Sequence, residues 1–347
     1  MRYLVIRFRQ IGDAILATCI FNTIRANDPD ADTTFVLNER IEPLFRNHPS
    51  IDHIITFTEE ERHSPLVYAR KIWRIVHRQH YDVIIDMRST VNTMIFALMS
   101  HSSRYRIGAK KKYTHLAFNY FYPKCGNKSM IAHNLDMLAP LGFQHLNSQF
   151  TLFVTDEERQ RFGEYLRQQG VSSDRPLILM GVTAKLADKR WRLDYMADIT
   201  RRIIRQYPDV QLIFNYAPGN EEAEARKLYD MLEHDPHIFI DVQAHSPREL
   251  SVMTTFVDFY FGNEGGARHI AQAHGKPSFV IVAPQNNPRV WIPQNETPAG
   301  AISIDEILSP EQRATLPQPE QYEKITPDLV WQRLTEFMNR YGLLVHK

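Results

Sequence analysis

Tyr3-Leu-Val-Ile-Arg-Phe-Arg-Gln-Ile-Gly-Asp-Ala-Ile-Leu-Ala-Thr18 passes from an apolar run, through a turn holding one glycine, into an amphipathic stretch. Tyr3–Phe8 reads as a strand, and residues 14–26, with Leu16, Ile20 and Ile24 four apart, as the helix behind it. The alternation continues outward. Thr34–Leu37, His53–Phe57 and Val83–Asp86 are short apolar runs, and residues 63–79 space Tyr68, Ile72 and Val76 as one helical face. Strands alternating with amphipathic helices are the pattern of βαβ units in a parallel sheet.

Past a polar helix beginning at Asp156 and the segment Gly170-Val-Ser-Ser-Asp-Arg-Pro176, the rhythm restarts. Strands are expected at Leu177–Val182, Val210–Tyr216, Ile238–Val242, Val257–Gly262 and Ser278–Val282, and helices at 193–206, 219–234, 247–255 and 266–274. A final helix, Pro327–Tyr341, carries proline at its first position. The expected organisation is α/β, with two Rossmann-like domains at 1–165 and 176–326. Residues 327–347 are expected as a C-terminal helix packing back on the first. Ligands of such sheets sit at the carboxyl ends of strands, so a cleft between the halves is the expected site.

Composition sets bounds. The 347 residues suit two α/β domains, and 43% hydrophobic with 23% charged residues is the balance of a globular enzyme. Two cysteines, Cys19 and Cys125, exclude a disulfide framework and suit a reducing cytoplasm. No apolar signal core opens the chain and no uncharged stretch approaches a membrane span, so a soluble protein is expected. The net charge of +1 hides an asymmetry: 19 basic against 13 acidic residues over 1–150, and 22 against 27 over 151–347. The excess is an island of Arg104, Arg106, Lys110, Lys111, Lys112, Lys124 and Lys128 interleaved with aromatic side chains. Such an island either attracts an anionic partner or is a solvated loop.

Four segments carry candidate chemistry. The turn after the first strand has one glycine, Gly12, which is not the G-x-G-x-x-G of dinucleotide binding. Asp13 is then either a helix cap or a carboxylate that removes a proton from an acceptor hydroxyl. Gly262-Asn-Glu264-Gly265-Gly266-Ala-Arg-His269 runs from a strand into a helix, where bare backbone and free amides favour phosphate oxygens. There His269 either adds a donor or is a satisfied core histidine. Thr183, Lys185, Lys189 and Arg190 follow the first strand of the second half and supply donors where a diphosphate can sit, unless they form a solvated loop. Glu221 and Glu222 open a helix and either accept from ribose hydroxyls or favour the helix start. The histidines are scattered, and no metal site is expected.

Taken together, these segments resemble glycosyltransferase family 9, the ADP-heptose:lipopolysaccharide heptosyltransferases. The resemblance includes Ile11-Gly12-Asp13, Tyr81-Asp-Val-Ile-Ile-Asp86 with Arg88-Ser89, and Tyr105-Arg-Ile-Gly108. It continues through His133-Asn-Leu-Asp-Met-Leu-Ala-Pro-Leu-Gly142, Lys189-Arg-Trp191, Gly262–His269 and Gly275-Lys-Pro277. It implies a GT-B architecture and inversion without a metal or cofactor. Asp13 would be the general base and Lys189 would stabilise the departing diphosphate. Gly12, Thr183, Lys185, Glu221, Glu222, Glu264, Gly265, Gly266 and His269 would lie on the donor side. Arg88, Arg104, Arg106 and Lys110 to Lys112 would lie on the acceptor side. The implied partners are a nucleotide sugar, by family default ADP-heptose, and an anionic glycolipid reached at the inner face of the cytoplasmic membrane, with no nucleic acid. One departure stands out: Glu264-Gly265-Gly266 replaces the family's frequent Asp-Ser/Thr-Gly. Another nucleotide sugar, or a sugar-nucleotide-binding protein without catalysis, are the alternatives this leaves.

Overall fold

The computed structural model describes residues 1–8, 10–292 and 295–344, which divide into two units, Met1–Phe153 and Val154–Lys347. The first holds six parallel strands: β1 (Arg2–Ile6), β2 (Asp32–Asn38), β3 (His53–Phe57), β4 (Val83–Asp86), β5 (Tyr105–Ala109) and β6 (Tyr120–Tyr122). Their order is β3-β2-β1-β4-β5-β6. The second holds β7 (Leu177–Gly181), β8 (Gln211–Phe214), β9 (Phe259–Asn263), β10 (Ser278–Ile281) and β11 (Ala299–Ile302), in the order β11-β10-β9-β7-β8, again all parallel.

Helices cover both faces of each sheet, so the central strands are buried end to end: every residue of β4, β7, β8, β9 and β10 is inaccessible. The covering helices follow the predicted spacing. Tyr68, Ile72 and Val76 are the buried face of the helix Pro65–Arg78. Each sheet reverses direction once in strand order, between β1 and β4 in the first and between β7 and β9 in the second. At such a switch point the flanking loops part and leave a crevice outside the strand ends.

Strands β5, β6 and β11 were not expected from the sequence, and the structure departs from expectation at three further places. The boundary falls at 153/154 rather than 165/176. Residues 147–151 are stitched to the helix Thr18–Asn27 by Thr18, Asn22 and Thr23. The helix Asp156–Gln168, in contrast, buries Phe162 and Leu166 in the second core and ties Glu158 to Arg248 at 2.6 Å. The helix Pro327–Tyr341 likewise belongs to the second unit, with Val330, Leu334, Phe337 and Met338 in the core beneath β9 and β10; residues 345–347 of that expected segment lie outside the described residues. Finally, Ile238–Val242 makes a single bridge to Leu212 and then turns, burying its apolar side chains without a ladder.

Candidate active site

In the first unit the switch point is built by the segments leaving β1 and β4. Asp13 lies in the first turn of the helix Ile11–Leu16 and is 5% exposed. Its Oδ1 accepts from Arg7 Nη2 at 2.5 Å, and Arg7 Nη1 donates to the Met87 carbonyl at 3.1 Å. Oδ2 accepts no hydrogen bond among the described residues. Asp13 is thus no helix cap; the residue at the cap is Gln10, without a side-chain bond. It is a buried carboxylate with one oxygen fixed and one uncommitted.

Past β4, Asp86 is fully buried, and burial pushes its carboxyl above the ordinary range against the opposing pull of the Ser89 and Arg88 amides. Oδ1 accepts from those amides at 2.8 and 2.9 Å, and Ser89 is held at φ 49°, a left-handed conformation that side chains seldom adopt. This rigid turn places Met87 and Arg88 on the wall of an open cavity of about 670 Å³ at the carboxyl ends of β4, β5 and β6. Lys110, Phe121, Tyr122, Lys124 and His133 line it further. Burial lowers the pKa of His133, with Arg7 and Lys128 adding to the effect and Asp136 opposing it, so the ring favours its neutral form.

The predicted acceptor cations do not all stand alike. Lys111 donates to the carbonyls of Arg88 and Ser89 at 3.1 and 2.7 Å, and Arg106 to those of Ala117, His101 and Ser103. Both are fasteners of the loop. Arg104 lies over the Tyr105 ring at 5.3 Å. Arg88 and Lys110 reach the cavity, whereas Lys112 is exposed.

In the second unit β7 and β9 run so close that Gly181 and Gly262 face each other in register. A Cβ on Gly262, whose φ is 140°, would collide with the Gly181 backbone. Asn263 locks the two loops, accepting from the Trp191 amide at 2.9 Å and donating to the Gly181 carbonyl at 3.0 Å. Lys189 therefore stands beside the β9 turn, its Nζ 3.5 Å from Glu264 Oε1. Glu264 also accepts from Asn286 Nδ2. Burial raises its pKa, with Lys189 the chief opposing influence.

The helix Gly266–Ala273 starts with no side-chain cap. At Gly265 the backbone is extended and a Cβ would meet nothing within 4 Å, so neither conformation nor packing calls for glycine. The helix start thus has no side-chain cap and open space beside Gly265, the arrangement in which first-turn amides favour an anion.

Thr183 donates to Glu221 Oε2 at 2.9 Å, joining two predicted donor residues, while Glu222 pairs with Arg226 on the surface. Lys185 is exposed. His269 is enclosed beside the Arg268 guanidinium; burial first and that charge second hold its pKa well below the ordinary value. It is a neutral ring. Arg7, His133, Asn263 and Asn286 received no role from the sequence; His133 and Asn263 lie in segments that carry the family resemblance, and Arg7 interrupts the apolar run at Tyr3–Phe8, whereas Asn286 left no signal.

Among the described residues no three His, Cys, Asp or Glu side chains come together as a metal site, and no helix is long and apolar enough to cross a membrane. The profile of glycosyltransferase family 9 (heptosyltransferase) matches residues 69–319. Lipopolysaccharide heptosyltransferase 1 of Campylobacter coli is 19% identical over 294 residues, covering 81% of this chain and 83% of that protein. Among solved structures, the glycosyl transferase family 9 protein of Veillonella parvula superposes with a TM-score of 0.82 at 16% identity, over 98% of this chain and 97% of that one. The ADP-heptose lps heptosyltransferase II of E. coli superposes with a TM-score of 0.74 at 17% identity, over 99% and 100%. Their shared fold is the two-Rossmann GT-B architecture.

Proposed function

The chain belongs to glycosyltransferase family 9, and from that membership we propose that it is an inverting, metal-independent heptosyltransferase. In this reading it moves a heptose from ADP-heptose to an anionic inner-core lipopolysaccharide acceptor at the inner face of the cytoplasmic membrane. The family assignment makes it a glycosyltransferase; the donor, the acceptor and the stereochemistry are our reading of the site.

A single displacement needs one base on the attacking hydroxyl and one stabiliser of the leaving group. Asp13 Oδ2 takes the proton of the acceptor hydroxyl while Arg7 holds Oδ1. The acceptor oxygen bonds to the anomeric carbon as the bond from that carbon to the diphosphate oxygen breaks, and ADP leaves. Attack opposite the leaving group inverts the centre. The negative charge that develops on the diphosphate meets Lys189 and the uncapped amides at the start of the helix Gly266–Ala273. Thr183 adds a hydroxyl, and Glu221, which accepts from Thr183, takes a ribose hydroxyl in this reading.

The observation that carries the reading is the pairing of types at the two switch points: a buried carboxylate with one uncommitted oxygen at one, and a cation beside an uncapped helix start at the other. One feature favours a second donor sugar. Glu264, longer than the family's frequent Asp and fixed by Asn286, reshapes the wall the sugar would meet. The test is calorimetry against ADP-, GDP- and UDP-sugars, followed by transfer to a truncated inner-core acceptor with ADP release and product anomer recorded. Preference for ADP-heptose with inversion supports the reading. Preference for a UDP- or GDP-sugar transfers the assignment to that donor, and binding without turnover marks a protein that has lost catalysis.

A further inference from the structure

We propose that the loop Lys110–Leu116, with Val91 and Phe121, is a docking surface for an anionic phospholipid membrane around the mouth of the first-unit cavity. The proposal rests on the reading that the acceptor is membrane-borne, and names the surface that brings the cavity to it.

Four large apolar side chains are exposed here: Leu116 at 70%, Val91 at 59%, Tyr113 at 45% and Phe121 at 38%. Their exposure is built in. Thr114 ties the loop down through its hydroxyl, accepting from the Lys111 amide and donating to the Ala109 carbonyl at 2.9 and 2.8 Å. Behind them Phe118 is buried against Gly108, where any side chain would enter its ring. Lys111 and the Tyr113 hydroxyl both bond the Ser89 carbonyl, which brings the loop beside the turn that leads to Val91. A fixed loop that aims Tyr113 and Leu116 at solvent gives up apolar burial unless something covers it.

The surrounding charge says what covers it. The side-chain ammonium groups of Lys110, Lys112 and Lys124 make no hydrogen bond or ion pair among the described residues, and the sequence holds no acid from His101 to Lys128. Aliphatic and aromatic side chains among unpaired lysines match the boundary between acyl chains and anionic headgroups. Lys110, Phe121 and Lys124 also line the cavity mouth. A headgroup-linked sugar would thus enter the cavity from the layer the loop touches. A second exposed apolar face, Leu66 and Trp73 on the helix Pro65–Arg78, lies outside the cavity lining and serves as the comparator.

The full chain is sedimented with phosphatidylethanolamine/phosphatidylglycerol vesicles and with phosphatidylcholine vesicles, neither carrying any glycolipid, so that binding is read independently of transfer. Expected are capture by the anionic vesicles alone, loss of capture as salt is raised, and weakening by roughly tenfold in L116E and in Y113E. Turnover of a soluble acceptor fragment should be unchanged in L116E, whose side chain is not part of the cavity lining. The proposal is overturned if anionic vesicles fail to capture the protein, or if L116E and Y113E bind as the parent does. Release by W73E instead, or displacement from vesicles by an equal charge of single-stranded oligonucleotide, also overturns it. Capture by the anionic vesicles with no turnover of the soluble acceptor fragment by the parent protein would overturn the proposed reaction and leave this surface standing.

Discussion

Arg7 Nη2 stands 2.5 Å from Asp13 Oδ1, both side chains more than nine-tenths buried, and the second carboxylate oxygen is left uncommitted. An ion pair that served only stability would be expected to satisfy both oxygens, because breaking or half-meeting buried charge is costly. Here the arginine orients the group and spares one lone-pair face for a proton.

Asp13→Asn should therefore keep the contact to Arg7 and lose the base. Transfer is expected to fall by ~10²–10⁴-fold, with calorimetric donor affinity within a factor of about two, since the donor is read as lying on the second unit. Circular dichroism and thermal unfolding would accompany the rates, because the buried arginine loses its counter-charge. Turnover equal to the parent removes Asp13 as the base.

Lys189→Ala removes the cation beside Glu264. Turnover should fall by about 10²–10³-fold, the size seen when one donor to a developing anion is lost. ADP should bind more weakly. A loss confined to acceptor KM would contradict a role at the leaving group.

Chelation tests the charge balance directly. If Lys189 and the helix amides meet the diphosphate, prolonged treatment with EDTA should leave turnover within about twofold of the untreated enzyme. Dependence on added Mg²⁺ or Mn²⁺ would place a cation where the proposal has Lys189.

Glu158 offers a pH test of the second unit. Its bonds to Arg248, helped by the Thr155 amide, pull its pKa down to about 2 in the folded chain, against an ordinary 4.5. A depressed folded value contributes stability above the unfolded pKa and loses it as pH falls through the folded one. Glu158→Gln should thus cost about 1–3 kcal/mol at neutral pH, with the difference shrinking below pH 4.5 and gone near pH 2. Thermal melts of both proteins across that range would show it; a difference independent of pH would mean the carboxylate's charge is irrelevant there.

Gly262→Ala should destabilise the second unit by more than ~3 kcal/mol. Its φ of 140° excludes a side chain, and the methyl would meet Gly181 backbone. Gly265→Ala, in open space at an extended backbone, should melt close to the parent. Equal melting of the two variants would sink this contrast.

Most of the scaffold was legible because parallel strands covered on both faces must be continuous apolar runs, as Val83–Asp86 and Leu177–Gly181 are. The strands that escaped were of another kind. β5 carries Arg106 and Gly108, β6 is three residues long, and β11 is Ala-Gly-Ala-Ile. Ile238–Val242 misled in the opposite sense, since apolar residues can be buried by a turning chain that pairs only once.

At the candidate site, strand-end position was enough to single out Asp13, Lys189 and Glu264 as candidates, and they lie at the two switch points. Partners distant in sequence were not accessible to spacing: Asn286 lies 22 residues from the Glu264 it holds, and Arg7 reaches Met87 across 80. Spacing offered His269 as a donor, and the structure adds its state: burial first and Arg268 second hold its pKa well below the ordinary value, so the ring favours the neutral form, which keeps one N–H.

Arg106 and Lys111, bonded to carbonyls of the loop they sit in, change how a saturation scan of residues 101–128 has to be scored. Read by turnover alone, substitutions at those two positions would mimic lost affinity for an anion, when the defect is a collapsed scaffold. Yield of folded protein has to be counted alongside, and only positions where yield holds while turnover drops report on recognition.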